Sequence, residues 1–197
     1  MTRSGTAERR TAETSVQVSL DLDGSGTAEI ATGIGFFDHM LTLLARHALI
    51  DLEVRAGGDL EVDEHHTVED VGLVLGRALD EALGERAGIR RFGHAVIPMD
   101  EALATCAVDL GGRAYAVIEP RADPLSGLNV WLELMPHFVE TVAREARFAV
   151  HLEVRKAAST HHLVEAAFKA LARALRDAVE PDPRLGDSVP SSKGTLR

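Results

Sequence analysis

A chain of 197 residues with 45% apolar side chains can form one domain, or two small halves sharing a core. Its formal charge of −10 excludes the basic footprint of a general nucleic-acid binder, and no stretch approaches the ~18 uninterrupted apolar residues of a membrane span. The start, MTRSGTAERRTAETS, lacks the apolar run of a secretory leader, and Cys106 is the only cysteine, so a soluble cytoplasmic protein without disulfides, nucleic-acid partner or membrane is expected.

The first dozen residues read as a flexible arm. SVQVSLDLDGSG alternates Val16, Val18, Leu20 and Leu22 with polar residues and ends in a turn, so a hairpin through TAEIAT is expected. GFFDHMLTLLARHAL carries an apolar stripe at Phe36, Met40, Leu43, Leu44 and Ala48, which predicts a helix after the Gly33–Gly35 break. IDLEVRA alternates again, and His65–Leu83 sets Val68, Val71, Leu75, Ala78 and Leu79 at helical spacing. The second half repeats this order. A strand pair crosses Gly111–Gly112 in MDEALATCAVDLGGRAYAVIE, LMPHFVETVAREA reads as a helix, FAVHLEVRK as a strand and Thr160–Val179 as a helix. The closing PDPRLGDSVPSSKGTLR reads by itself as an irregular tail.

The repetition extends to identities. His65–Leu79 and His161–Leu175 share 8 of 15 residues without a gap, and Leu-Glu-Val-Arg occurs at 52–55 and at 152–155. The chain therefore reads as an α+β fold made by tandem duplication of a ββαβα half, with sheets packed on helices. The halves are set at 1–95, with the N-terminal arm, and 96–197, with the C-terminal tail, in one compact unit. Each sheet has helices on one face, its other face being covered by the partner half or by another subunit.

Packing accounts for Val68 matching Val164 and Leu75 matching Leu171, but it does not require histidines at the polar end of each helix. Residues i and i+4 share a helix face, so His65 with Glu69, and His161 with Glu165, can each grip one ion. His66 and His162 lie roughly 100° further around and reach a different ion. His39 precedes His65 by 26 residues and His137 precedes His161 by 24, each on the preceding helix. The inventory is six imidazoles and two carboxylates, enough for two sites of three His and one Glu. It suits Zn, Fe or Mn better than Ca or Mg. His47, His94 and His151 each read, alone, as solvated or hydrogen-bonded side chains. Two clustered ions also suit a phosphate-ester hydrolase, or a non-catalytic protein whose metals join subunits.

GFFDHML, DEHHTVEDVGLVLG, PMDEALA, DLGGRAY, HFVETVA, STHHLVEAAFKALARAL and the terminal SVPSSKG together resemble the imidazoleglycerol-phosphate dehydratase family, in family order from about Arg10 to Lys193. No phosphatase-like extension precedes them, so the monofunctional form is expected. The resemblance implies a ribosomal protein S5 domain 2-like fold and a hydro-lyase of histidine biosynthesis. The reaction it implies is dehydration of D-erythro-imidazoleglycerol phosphate to imidazole acetol phosphate. It implies two Mn2+ per active site, ligated by His39, His65, His66, Glu69, His137, His161, His162 and Glu165. Glu13, which by itself reads as an exposed acid in the arm, becomes the general acid/base. Arg91, Arg113, Lys169, Ser191, Ser192, Lys193 and His47 become the substrate- and phosphate-binding set, and the tail a substrate clamp. The family also implies a 24-mer built from trimers, with active sites shared between chains. The chain departs from the family pattern at Thr42 and Leu43, where Asp-Gln is common, and at Gly111 and Ala114, where Ser and Pro are frequent; none of these is a ligand.

Overall fold

A computed structural model of the chain describes residues 3–120 and 128–196. The described elements run β1 (Ser4–Arg10), β2 (Thr14–Asp21), β3 (Ala28–Ala31), α1 (Gly35–Ala48), β4 (Asp51–Gly58), α2 (His65–Leu83), β5 (Phe92–Met99), β6 (Ala102–Asp109), β7 (Tyr115–Pro120), α3 (Trp131–Glu145), β8 (Ala149–Lys156) and α4 (Thr160–Val179). They fall into two halves of the same order, with sheets β1-β2-β4-β3 and β5-β6-β8-β7. In each sheet three strands are antiparallel, and the fourth lies parallel to its neighbour through a helical crossover.

The α+β class and the tandem duplication stand, but each half is βββαβα and holds one strand more than expected. The supposed arm is β1, paired along its whole length with β2. Its inward positions carry Gly5 and Ala7, so it lacks the large apolar residues that mark an alternating strand. The hairpin through TAEIAT does not form either. β2 gives its free edge to β4, and β3 pairs parallel on the far side of β4. Asp51 on β4 accepts the N–H groups of Ser25 and Thr27, both at 2.8 Å, and draws the connecting loop across. Likewise β6 and β7, on either side of Gly111–Gly112, pair with β8 and not with each other. β5 opens at Phe92, so the division after residue 95 falls inside a strand.

The two halves meet through their helices. α2 lies on β1 and β2, and α4 lies on β5 and β6, while α1 packs on α4 and α2 on α3. The helices thus form the interior, and the sheets are the outer layers. Val16, Val18, Leu20, Leu52 and Val54 point inward from one sheet, and Ala104, Cys106, Val108, Val150 and Leu152 from the other. A fully buried Val, Leu or Phe contributes about 1.5–3 kcal/mol, so this shared layer is what unites the halves. The Cys106 thiol is pushed up to about 12 by burial, which leaves it an unreactive core side chain. Beyond the apolar contacts, Asp80 near the end of α2 accepts from buried Arg86 at 2.6 Å and from Nε and Nη2 of Arg147, which precedes β8. Among the described residues, none of the partner half covers the outward sheet faces, with Gln17, Glu53 and Arg55 on the first. No helix among the described residues is long and apolar enough to cross a membrane.

The close approach of helix to edge strand is itself duplicated. A Cβ on Gly5 would sit 2.0 Å from the carbonyl oxygen of Ala78, and one on Gly93 would sit 1.9 Å from that of Ala174. Both obstacles are helix backbone, which no rotamer change can move. Gly93→Ala is therefore expected to destabilise the protein by about 1–3 kcal/mol, as overpacked interiors do. The measurement is the denaturant midpoint at unchanged m-value, and an unshifted midpoint would show that β5 stands further from α4.

Candidate metal centre

His65 opens α2 and His161 is the second residue of α4, where the first-turn N–H groups have no intrahelical partners and the ends face outward. The side chain of Asp63 accepts the His65 N–H at 2.8 Å and fixes the start of α2. From each helix start, i and i+4 spacing brings His and Glu to one face. The third donor crosses from the other half, because α1 packs on α4 and α3 on α2. His39 on α1 joins His161 and Glu165, and His137 on α3 joins His65 and Glu69; within each trio the donor atoms all lie within 4.8 Å of one another.

In the first trio, Glu165 Oε2 lies 3.2 Å from His39 Nε2 and 3.1 Å from His161 Nε2. Its other oxygen, Oε1, takes Lys169 Nζ at 2.7 Å. Burial is the largest single influence on Glu165 and raises its pKa, but Lys169, His39 and His161 together outweigh it and hold the carboxyl below its ordinary range. The edge of Phe36 supports the His161 ring at a centroid distance of 5.3 Å, and Phe36 in turn meets buried Trp131 at 5.0 Å. In the second trio, the His65 and His137 rings stack at 4.8 Å and Glu69 Oε1 lies 3.5 Å from His137 Nε2. That nitrogen is buried and has no hydrogen-bond partner. An orphaned buried imidazole nitrogen facing a carboxylate fits a transition-metal ligand better than a structural polar group. By donor chemistry and convergence, both trios fit a divalent cation.

His66 and His162 stand apart from their neighbours. His66 Nδ1 is 3.1 Å from Asp59 and 3.9 Å from Glu13, and His162 Nδ1 is 2.8 Å from Glu101. The hydrogen bonds that the rings give to Asp59 and Glu101 raise the pKa of these two imidazoles, and the bond accepted from His162 draws the Glu101 carboxyl down to about 2. An Nδ1–H given to a carboxylate places the neutral ring's lone pair on Nε2, the usual support for a metal-ligating histidine.

The anion-binding candidates form two groups. Arg91, at φ +71, holds Asp109 through Nε at 2.6 Å and Nη2 at 3.0 Å and gives Nη1 to the Pro190 carbonyl at 2.8 Å. Asp109 keeps the guanidinium pKa above its usual value. Pro190 leads into the turn of Ser191, Ser192 and Lys193, where the Lys193 N–H meets Ser191 Oγ at 3.2 Å. Arg113 lines a cleft of about 400 Å3 with Asp109, Gly111 and Tyr115. Lys169 belongs to the other group, beside Glu165. Burial lowers the pKa of His47, with Lys169 and Arg173 adding to the effect. The Arg91 N–H bonds the carbonyl of Ala178, nine residues beyond Lys169 on α4, so ~13 Å of helix axis separates the groups at 1.5 Å per residue.

Sequence reasoning passed over Asp59, Glu101 and Asp70. Glu101 sits in the tight β5–β6 turn of PMDEALA and Asp59 follows Gly57–Gly58, both half-buried turn positions with no periodicity to mark them. Asp70 had a signal, being a carboxylate on the apolar side of α2 beside Val71, and it is buried. Glu101→Gln should lower affinity for Mn2+ or Zn2+ by about 10–100-fold, the usual effect of losing a carboxylate behind a ligand imidazole. Titration calorimetry on the folded variant checks this; unchanged affinity would make Glu101 a bystander.

A family model described as Imidazoleglycerol-phosphate dehydratase matches residues 32–175. The chain is 55% identical, over 197 residues and 100% of both chains, to the imidazoleglycerol-phosphate dehydratase of Granulibacter bethesdensis. It is 56% identical over 195 residues to that of Chloroflexus aggregans, covering 98% of this chain and 95% of the relative. Among solved structures, the enzyme from Staphylococcus aureus superposes with a TM-score of 0.79 at 33% identity, over 90% of this chain and 99% of that one. The Pyrococcus furiosus protein, solved in complex with (S)-C348, gives 0.82 at 36% identity, over 95% and 99%.

Proposed function

The chain belongs to the imidazoleglycerol-phosphate dehydratase family, a family of hydro-lyases, and on that footing we propose that it converts D-erythro-imidazoleglycerol phosphate to imidazole acetol phosphate in histidine biosynthesis. The observation that carries the reading is the pair of crossed trios, each one carboxylate and two imidazoles drawn from both halves.

Two Mn2+ ions per site are the proposed cofactor. His39, His161 and Glu165 hold one, and His65, Glu69 and His137 hold the other. His66 and His162, turned away from both trios, supply the remaining donors to neighbouring copies. Bound there, the metal supplies Lewis acidity toward the substrate imidazole and a fixed orientation for its side chain. The reaction breaks the C2–H and C3–O bonds of the glycerol chain, releases the hydroxyl as water and leaves an enol that tautomerises to the ketone. Glu13 is the group that moves the proton. It lies beside His66 and is exposed, which suits a base that must meet substrate. Arg91, Arg113, Ser191, Ser192 and Lys193 hold the phosphate, joined by Lys169 and His47. The separation of these two groups along α4 supports a phosphate gripped by two chains. Self-association into a 24-mer of trimers with shared sites, and residence in the cytoplasm, belong to the same proposal.

Exhaustive chelation is expected to abolish ketone formation and to break the assembly into smaller species on sedimentation, with Mn(II) restoring both best. Metal ligands must be deprotonated, so retention should also weaken as pH falls, and His66 and His162, whose pKa values are raised, should take up protons first. Full activity in a verified metal-free sample would sink the metal reading, and free phosphate in place of ketone would mark a hydrolase. Separately, Glu13→Gln should keep metal and substrate binding while turnover falls ~10²–10⁴-fold, the usual worth of a general acid–base. Near-normal turnover in that variant would remove Glu13 from the chemistry.

A further inference from the structure

Asp70 belongs to no ligand set, yet it is only 7% exposed and follows Glu69 directly on α2. A carboxylate keeps such a place only where its partners replace the lost water. Its partners all come from the β1–β2 hairpin. Oδ1 accepts from Nε of Arg9 at 2.8 Å, and Oδ2 accepts the hydroxyl of Thr14. Thr14 is tied in turn to Thr11, whose Oγ1 accepts the N–H groups of Thr14 at 2.9 Å and of Glu13 at 3.1 Å. A run of hydrogen bonds therefore leads from α2 to the backbone of Glu13. The end of β4, which pairs with the hairpin at Thr14, is also pressed close to the helix. Gly58 pairs with Thr14, and a Cβ there would lie 2.2 Å from Thr67 Oγ1 on α2.

The second half provides a control within the same chain. The 96-residue offset that takes His65 to His161 takes Asp70 to Ala166, which is 0% exposed. α4 thus presents its His-His-x-x-Glu with alanine in that position, so neither the helix nor the ligand geometry demands a carboxylate. The hairpin turns differ accordingly. Glu101 reaches its histidine directly, 2.8 Å from His162 Nδ1, whereas Glu13 stands 3.9 Å from His66 Nδ1, a nitrogen already engaged by Asp59 at 3.1 Å. The buried aspartate occurs in the half whose hairpin acid is held off its histidine.

We infer that Asp70 is a positioning residue for Glu13, fastening the β1–β2 turn to the helix of the metal ligands so that the Glu13 carboxylate stays beside His66 and available to substrate. The inference rests on the reading of Glu13 as the proton-transfer group and adds the device that aims it.

The test compares Asp70→Ala, the residue of the second half, with Thr14→Val, which leaves α2 unaltered, and Thr14→Ser, which keeps the hydroxyl. In metal-loaded protein, the first two should lose on the order of 10²-fold in kcat, as a misplaced catalytic group does, with KM and bound metal nearly unchanged. Thr14→Ser should retain activity. Hydrogen exchange at the Glu13 and Thr14 amides should quicken about 10-fold in Asp70→Ala and Thr14→Val, reporting a loosened turn. In a Glu13→Gln background, Asp70→Ala should cost nothing further in kcat, because coupled residues are non-additive. Unchanged exchange, or a full additional loss in that background, overturns the inference. Normal turnover in Glu13→Gln alone defeats the proton-transfer reading instead, and the exchange rates still decide whether Asp70 holds the turn.

Discussion

The candidate metal centre depends on one constraint, the packing of each half's helices on those of the other. Two donors of every trio come from one helix start, where i and i+4 spacing aligns them without tertiary help. The third can come only from a helix of the opposite half. His39 reaches Glu165 because α1 lies on α4, and His137 reaches Glu69 because α3 lies on α2. The spacing of those helices is set by rings. Phe37 meets Phe138 at 5.2 Å, and Phe138 stacks on Phe168 at 5.6 Å, which links α1, α3 and α4 through the core. Close-packed interiors transmit displacement, so core geometry and ligand geometry are one problem in this molecule.

The electrostatics around the trios divide labour among carboxylates in a way that the net charge of −10 conceals. Glu165 splits its oxygens, one toward Lys169 and one toward two imidazoles, so it is arranged to offer a cation a single atom. Asp59 and Glu101 hold imidazoles from behind. One set of positive groups is gathered apart from the trios, at Arg91 with the tail, and Lys169 stands directly against Glu165. An acidic protein can therefore present cationic groups to a phosphate, because local partners and not the total decide each patch.

Much of this was legible in the sequence. The helices and their repetition follow from apolar spacing, and the grouping of His65 with Glu69 and of His161 with Glu165 follows from helical geometry alone. The crossed third donor was not legible, since nothing in the spacing of His39 or His137 says which half its helix packs against. β1 escaped because a strand that must approach a helix backbone carries Gly5 and Ala7 where an isolated strand would show Val or Leu. The hairpins expected through TAEIAT and across Gly111–Gly112 failed for a related reason. Turn residues signal a change of direction, but the pairing partner is set by a strand on the far side of a helix. Asp59, Glu101 and Asp70 act through contacts 7, 61 and 56 residues distant in sequence, which no local pattern encodes.

What the duplication preserves and what it breaks separate two kinds of requirement. The helix starts keep His-His-x-x-Glu unchanged, and the crossing histidine recurs on α1 and α3, so the ligand shell is symmetric. The hairpin turns and the residue after each ligand glutamate are not. Glu101 is bound to its histidine and Glu13 is not; Asp70 is charged where Ala166 is apolar. Two like cations, as proposed for these trios, would ask for like shells, and symmetry would serve them. The substrate proposed above, with an imidazole at one end, a phosphate at the other and one proton to lose, would have no such symmetry, and two equal half-sites would have no means of telling its ends apart. Breaking the repeat at the hairpins, while leaving the helices alone, gives direction to the site without disturbing the centre that holds it.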